Sequence, residues 1–266
     1  MVTTVQHLYP GFRHAGRLPS IASQRKIQRD IINDILAEHC VDSILSVGCA
    51  YGNELDEILT LKQGSDVLVC AIDVADVHDE IYKLGVAKKL GTRLEWSQMD
   101  LLDAHSLTSY GTFSLVQCGF VLHDIDYSQK AVAYTVLAHA LRPDGWLVFS
   151  DIFPTRSCSR INTNIEDYRS EVTFVYNSFI GEANNAKRQG ILSEVEWQDL
   201  VGDEHRPGLK NTLRGALTGS RDFFETLPET KRRLVQAGFF VEEVITNPIN
   251  SRLAVIVASR SPTLSV

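Results

Sequence analysis

The sequence predicts an α/β fold, a mostly parallel sheet covered on both faces by helices. Short, continuously apolar runs at 43–47, 67–72, 113–118 and 146–150 read as strands buried on both sides. Segments with helical spacing alternate with them, as the crossovers of a parallel sheet require. The first run ends in Gly48-Cys49-Ala50-Tyr51-Gly52, a tight passage from strand to helix.

The elements follow in order. Residues 1–19 are irregular and carry Tyr9, Pro10, Gly11, Phe12, Arg13 and His14. Ser20 is expected to cap a helix whose face is Ile21, Ile27, Ile31, Ile32, Ile35 and Leu36, ending near His39. Strand 1 spans 43–47 and its helix 51–61. Gly64-Ser65-Asp66 turns into strand 2, which ends in Asp73, and a weaker helix follows over 77–90. Strand 3 is expected at 93–98, strand 4 at 113–118, a helix at 128–141, a turn at Arg142-Pro143-Asp144-Gly145, and strand 5 at 146–150. From 153 to 227 the text is polar and partly helical, broken by Gly181, Gly190, Gly202, Pro207-Gly208, Gly215 and Gly219. A structureless loop of that length is improbable, so this stretch should form a helical cap. Pro228 opens a helix ended by Gly238, and two strands at 239–245 and 253–259 make an antiparallel pair.

Composition narrows the function classes. The 266 residues fit one large domain or a domain with an inserted cap. With 44% hydrophobic and 22% charged residues the chain is ordinary for a globular protein, and no apolar run reaches bilayer length. No secretory signal is expected in the first twelve residues. Five scattered cysteines, Cys40, Cys49, Cys70, Cys118 and Cys158, fit a reducing cytoplasm with neither disulfide framework nor zinc site, Cys49, Cys70 and Cys118 reading as buried thiols. A net charge of −7 argues against a nucleic-acid partner, and Lys231-Arg232-Arg233 should face solvent. The expected partner is a small molecule, with neither membrane nor nucleic acid. The oligomeric state stays open, a homodimer included.

The Val47-Gly48-Cys49-Ala50-Tyr51-Gly52 segment resembles the first motif of class I S-adenosylmethionine (SAM)-dependent methyltransferases, hydrophobic-hydrophobic-x-Gly-x-x-x-Gly. It is neither G-x-G-x-x-G, which disfavours a nicotinamide dehydrogenase, nor a P-loop. Alone, the two glycines are equally compatible with a structural turn. Further stretches match in the correct order: Asp73 closing strand 2, Asp100 after strand 3, Gln117-Cys118-Gly119-Phe120-Val121-Leu122-His123-Asp124-Ile125 after strand 4, and Arg142-Pro143-Asp144-Gly145-Trp146-Leu147 before strand 5, where Asp144 replaces a family glycine. The resemblance implies a Rossmann-like seven-stranded sheet ending in an antiparallel hairpin, with an N-terminal helix and a helical cap insert. It divides the chain into an N-terminal lid segment and helix (1–42), a SAM-binding core (43–152), a cap (153–227) and a C-terminal helix and hairpin that complete the core (228–266).

The same resemblance implies a cofactor site. Gly48, Cys49, Ala50 and Gly52 would take the amino-acid end of SAM. Asp73, with Val74 beside it, would take the ribose; Asp100 and Leu101 the adenine; and carbonyls near Cys118 and Gly119 the ammonium. Each has a plainer reading: Asp73 as a helix cap, Asp100 as a loop acid with Asp103 as competitor. His123 is the candidate general base, or a residue that only packs beside the cofactor. Asp124 reads as a cap or surface acid, and His105, His139 and His205 lack metal-ligand spacing. Substrate contacts are expected from Tyr9, Phe12, Arg13, His14 and Tyr176. Tyr168, Phe174, Tyr176 and Phe179 share a helix-like stripe, and Arg13, Arg25 and Arg169 are candidates for a substrate carboxylate. The implied activity is methyl transfer from SAM to a small-molecule O or N acceptor. The alternative is a SAM-binding protein without methyl transfer: other SAM chemistry such as a cyclisation, or a binding or regulatory role. Pro10-Gly11-Phe12 and residues 230–239 also resemble the carboxy-SAM synthases, which have Tyr in place of Phe12.

Overall fold

The computed structural model describes residues 12–50, 52, 55–56, 66–79, 81–83, 94–156, 165–203, 208–218 and 223–260. Within them a seven-stranded sheet has the order β3-β2-β1-β4-β5-β7-β6. Its strands are β1 (Ser43–Val47), β2 (Leu68–Asp73), β3 (Leu94–Gln98), β4 (Phe113–Gly119), β5 (Leu141–Ile152), β6 (Phe239–Thr246) and β7 (Leu253–Arg260). β1 to β5 pair in parallel, whereas β7 runs antiparallel between β5 and β6. The central strands are buried throughout, and β3, at one edge, is partly exposed. That is why the inner strands read as largely apolar runs and β3 does not.

The described helices are α1 (Pro19–Glu38), α2 (Ala104–Thr108), α3 (Lys130–Ala140), α4 (Ile165–Arg188), α5 (Glu194–Val201), α6 (Leu209–Thr218) and α7 (Leu227–Gln236). Two apolar clusters fill the two faces of the sheet. One gathers Leu137 of α3 and Leu234 of α7 against Val116 and Phe149; the other places Ile32 and Ile35 of α1 against Leu115 and Val148. A third joins α4, α5 and α6 to Leu18 and Ile21, and to Ile152 and Leu253 at the strand ends.

Three local expectations are corrected. Ser20 does not cap α1: Leu18 occupies the N-cap, Pro19 the first turn, and the Ser20 amide donates to Glu182 Oε2 at 3.0 Å. Proline presets the first helical φ and gives up no needed donor, so it takes the start. Arg142-Pro143-Asp144-Gly145 lies within β5 as a bulge, since Leu141 pairs with Phe113 and Trp146 with Leu115. Gly181 and Gly215 do not break the insert, because α4 and α6 run through them. A helical glycine costs roughly 1 kcal/mol, less than burying even one of Tyr168, Val172, Tyr176 and Phe179 contributes. Phe174 of the expected stripe is exposed and lies under the Arg252 guanidinium at 4.0 Å.

α7 starts on a reciprocal cap. Thr226 Oγ1 accepts from the Glu229 amide, and Glu229 returns to the Thr226 amide at 2.9 Å. Arg233, expected in solvent, is half-buried and pairs with buried Glu225. Cys49, Cys70 and Cys118 are buried as expected, and burial with the nearby Glu95 carboxylate pushes the Cys70 thiol up to about 12. Among the described residues no helix is long and apolar enough to cross a membrane.

Candidate functional site

The strand order reverses between β1 and β4, and such switch points open a crevice at the carboxyl ends of the strands. A cavity of about 450 Å³ lies there, lined by residues at or just past the ends of β1 to β5 and closed by α1, α4, α6 and Phe223. Gly48 makes the first bend. Its φ is +67°, its amide donates to Ile72 O at 2.8 Å, and a Cβ on it would meet Val121 Cγ2 at 2.0 Å. Two lining residues that are not glycine also sit at positive φ, Ala50 at +40° and Phe120 at +56°. Such strain costs about 1–3 kcal/mol per residue and survives only where neighbours hold it. Here the Ala50 amide donates to Asp73 Oδ2 at 2.8 Å, and the Phe120 amide to Ser150 O at 2.9 Å.

Asp73 is thereby part of the bend as well as of the cavity wall. Its other oxygen accepts from the Ala75 amide at 2.9 Å, so both readings of this acid hold at once: local cap and cavity-facing carboxylate. Each oxygen retains a further lone pair. Burial pushes its carboxyl above the ordinary value, and the Asp124 charge adds to that against the amide bonds of Ala75, Ala50 and Val74. Val74, exposed, accepts from Gln98 Nε2 at 3.1 Å on its carbonyl. Asp100 accepts from the Leu102 amide at 2.9 Å and lines the cavity with Leu101. Asp103 caps α2 through Ser106.

His123 stands in a 3-10 turn, Leu122–Asp124, directly after β4. Its Nδ1 lies 2.6 Å from Asp151 Oδ1, and its amide donates to Asp151 Oδ2 at 3.1 Å. Facing a carboxylate, Nδ1 is the protonated nitrogen, which leaves Nε2 as the basic one. The ring stacks on Phe224 at 5.6 Å, and Nε2 is 4.0 Å from Asp124 Oδ2. Asp151 stands one residue before the end of β5, much as Asp73 ends β2, and it is buried. A strand-end acid was therefore visible in Ser150-Asp151-Ile152, yet only the fold brings it to His123, across 28 positions of sequence.

The expected site residues divide. Gly48, Cys49, Ala50, Asp73, Val74, Asp100, Leu101, Gly119, His123, Arg25 and Tyr176 line the cavity. Cys118 is buried within β4, one residue short of the wall, and Gly52 supports the bend through its amide to Cys49 O at 2.6 Å. Arg13 is exposed. His14 faces α5 instead, 3.7 Å from Glu196 and 3.9 Å from Asp199. Arg169 is exposed on α4. Tyr9 lies outside the described residues, as do the side chain of Phe12, and His205 and Cys158. Asp124, read as a cap or surface acid, faces the cavity, and so do Phe179, Leu209, Thr212 and Phe223 of the insert. No cluster of metal-ligand type occurs among the described residues.

No protein-family model and no curated protein matches the chain. Solved structures do match in fold. An O-methyltransferase family protein from Burkholderia thailandensis superposes with a TM-score of 0.58 at 16% identity, over 92% of this chain and 57% of that one. The 1,6-didemethyltoxoflavin-N1-methyltransferase of the same organism, solved with 1,6-didemethyltoxoflavin and S-adenosylhomocysteine, gives 0.53 at 14%, over 90% and 78%. The [4+2]-cyclase SpnF gives 0.55 at 11%, over 98% and 97%. The chain thus spans little more than half the length of the first of these. Its seven-stranded architecture is the class I methyltransferase fold.

Proposed function

We propose that the cavity binds SAM and that the chain transfers a methyl group to an O–H or N–H of a small molecule, with His123 as general base. One observation carries this reading. His123, held from behind by Asp151 at 2.6 Å, stands in the wall of the same cavity as the Gly48 bend and Asp73. The residues suit the cofactor. Each oxygen of Asp73 keeps a lone pair for one ribose hydroxyl, beyond the amide it already holds. In the cavity wall Asp100 and the Leu101 amide would offer adenine an acceptor and a donor, and exposed Val74 an apolar face. Asp73, Asp100, Asp124 and Asp126 make the wall acidic, which favours a sulfonium cation.

When bound, SAM supplies a methyl group already activated on sulfur. The chain's own tasks are positioning and proton transfer. Asp151 holds His123 in one tautomer and orientation, so Nε2 can take the acceptor's proton as its oxygen or nitrogen becomes nucleophilic. Ile21, Ile152, Tyr176, Phe179 and Phe223 give the acceptor an apolar, partly aromatic seat that excludes water. Among the described lining residues Arg25 is the only permanent cation, a seat for a carboxylate on the acceptor or on the amino-acid end of the cofactor. In this reading residues 43–152 bind the cofactor, 228–266 complete that core, and 1–42 and 153–227 select the acceptor. SAM-dependent binding is tested by calorimetry with S-adenosylhomocysteine, and transfer by labelled methyl release from SAM with a panel of phenols and aromatic amines, with and without a carboxylate. Absence of heat with both SAM and S-adenosylhomocysteine would remove the reading.

A second reading keeps the cofactor and drops methyl transfer. It is favoured by the similarity to a cyclase over nearly the whole of both chains. Heat on S-adenosylhomocysteine binding, with label retained across the acceptor panel, would select it.

A further inference from the structure

Beneath the turn that carries His123 lies a charged cluster for which methyl transfer has no direct use. Lys130 opens α3, is 2% exposed, and donates from Nζ to Leu122 O at 2.5 Å, the residue before His123. Glu225, 5% exposed, accepts from Tyr134 Oη at 3.0 Å and pairs with Arg233 of α7. An ammonium withdrawn from water is costly unless compensated. The Leu122 carbonyl and the Tyr127 ring, 5.8 Å from Nζ, are a poor return for it if Lys130 served only to fasten a turn.

We propose that Lys130 is a positioning residue for the base: it fixes the 122–124 turn and sets the protonation equilibrium of His123, keeping the imidazole neutral at the pH of catalysis. This rests on the reading of His123 as a base. The physical argument is one of balance. Asp151 at 2.6 Å and Asp124 at 4.0 Å both stabilise the imidazolium. Two carboxylates so placed raise the ring's affinity for a second proton, which would compete with its use as a base. The ammonium interacts with both of these acids and with Glu225, while Arg233 opposes it from α7. Beside the ring stand two acids, Asp124 on its own turn and Asp151 on β5, and Lys130 on α3 interacts with both, while Glu225 before α7 and Arg233 on α7 act on the ammonium. Removing Lys130 leaves the acids in clear excess and favours the imidazolium. Burial lowers the ammonium below its ordinary value, and the three carboxylates oppose that only in part.

The test is the midpoint of the His123 ring titration, followed by long-range proton–nitrogen spectra of full-length, 15N-histidine-labelled protein between pH 5 and 9. The His123 signal is assigned by its loss in His123→Gln. Lys130→Met is expected to raise the midpoint by about half to one pH unit, and Lys130→Arg to return it toward wild type. Glu225→Gln, which retains the lysine, is expected to move it the other way and covers the case in which Lys130→Met does not fold. Midpoints unchanged in the folded variants, or a fall in folded Lys130→Met, would overturn the proposal. The shift is read without acceptor or cofactor. Full-rate methyl transfer by His123→Ala would instead overturn the reading of His123 as base, while leaving the titration result standing.

Discussion

Asp73 joins two tasks in one carboxyl, holding the β1 bend through Ala50 and facing the cavity. Burial raises its carboxyl above the unfolded value, so its contribution to stability is greatest when it is protonated and is lost as pH rises through the raised value. Cofactor binding has the reverse sign, because protonating one oxygen competes with an amide bond or a ribose hydroxyl. S-adenosylhomocysteine affinity, measured by calorimetry, should therefore fall on acidification, starting above the ordinary carboxylate range. Asp73→Ala should weaken it by about 1–3 kcal/mol at neutral pH and remove that pH dependence. Asp151→Asn should leave this affinity nearly unchanged but slow methyl transfer by roughly 10²- to 10⁴-fold, because an amide no longer fixes the tautomer of His123. The acids at 73 and 100 could be found from the sequence because each follows a strand in a matched motif. Asp151 also follows a strand, but its partner is 28 positions away and no spacing rule connects them.

At the scale of elements, helix and strand ends carry the function, and two substitutions separate site strain from ordinary stability. Gly48→Ala places a Cβ 2.0 Å from Val121 Cγ2 at a φ of +67°, so the bend must shift. The expected outcome is a loss of about 1–3 kcal/mol in folding stability together with weakened S-adenosylhomocysteine binding. Thr226→Ala removes the reciprocal cap of α7 and should cost about 1 kcal/mol in denaturant unfolding, with binding unchanged. The start of α7 was legible in Pro228 and Gly238, which act locally. The course of β5 was not: a Pro-Asp-Gly text signals a turn, and only pairing with β4 draws those residues into the strand as a bulge. Gly181 misleads in the same way, its local cost outweighed by the apolar face α4 buries.

At the scale of the whole molecule, α1 is bolted across the sheet by amides and hydroxyls as well as by isoleucines. Gln28 Nε2 donates to Gln117 Oε1 at 3.1 Å, Gln117 Nε2 to Ser46 Oγ at 2.6 Å, and Ser150 Oγ to Gln28 Oε1 at 2.6 Å, all buried. Gln117→Leu strands a donor on Gln28 and an acceptor on Ser46 in the interior. It should cost about 1–3 kcal/mol, read in thermal unfolding as roughly 2–4 °C for each kcal/mol. Saturating S-adenosylhomocysteine should raise the melting temperature of wild type and of this variant alike, since the chain at 117 lies behind the cavity rather than in it. Nothing in the text around Gln28 or Gln117 announces this seam, because buried polar partners on separate elements leave no periodic trace.

The sequence by itself determined the alternation of strand and helix, the glycine bend and the strand-end acids, since these are written in residues near one another and answer to backbone sterics and local periodicity. Tertiary structure alone decided that Asp151 reaches His123, that Lys130 and Glu225 lie beneath that turn, and that His14 faces α5 instead of the cavity. Those pairings depend on which elements pack together, and packing is set by the summed burial of distant surfaces that no short window of sequence contains.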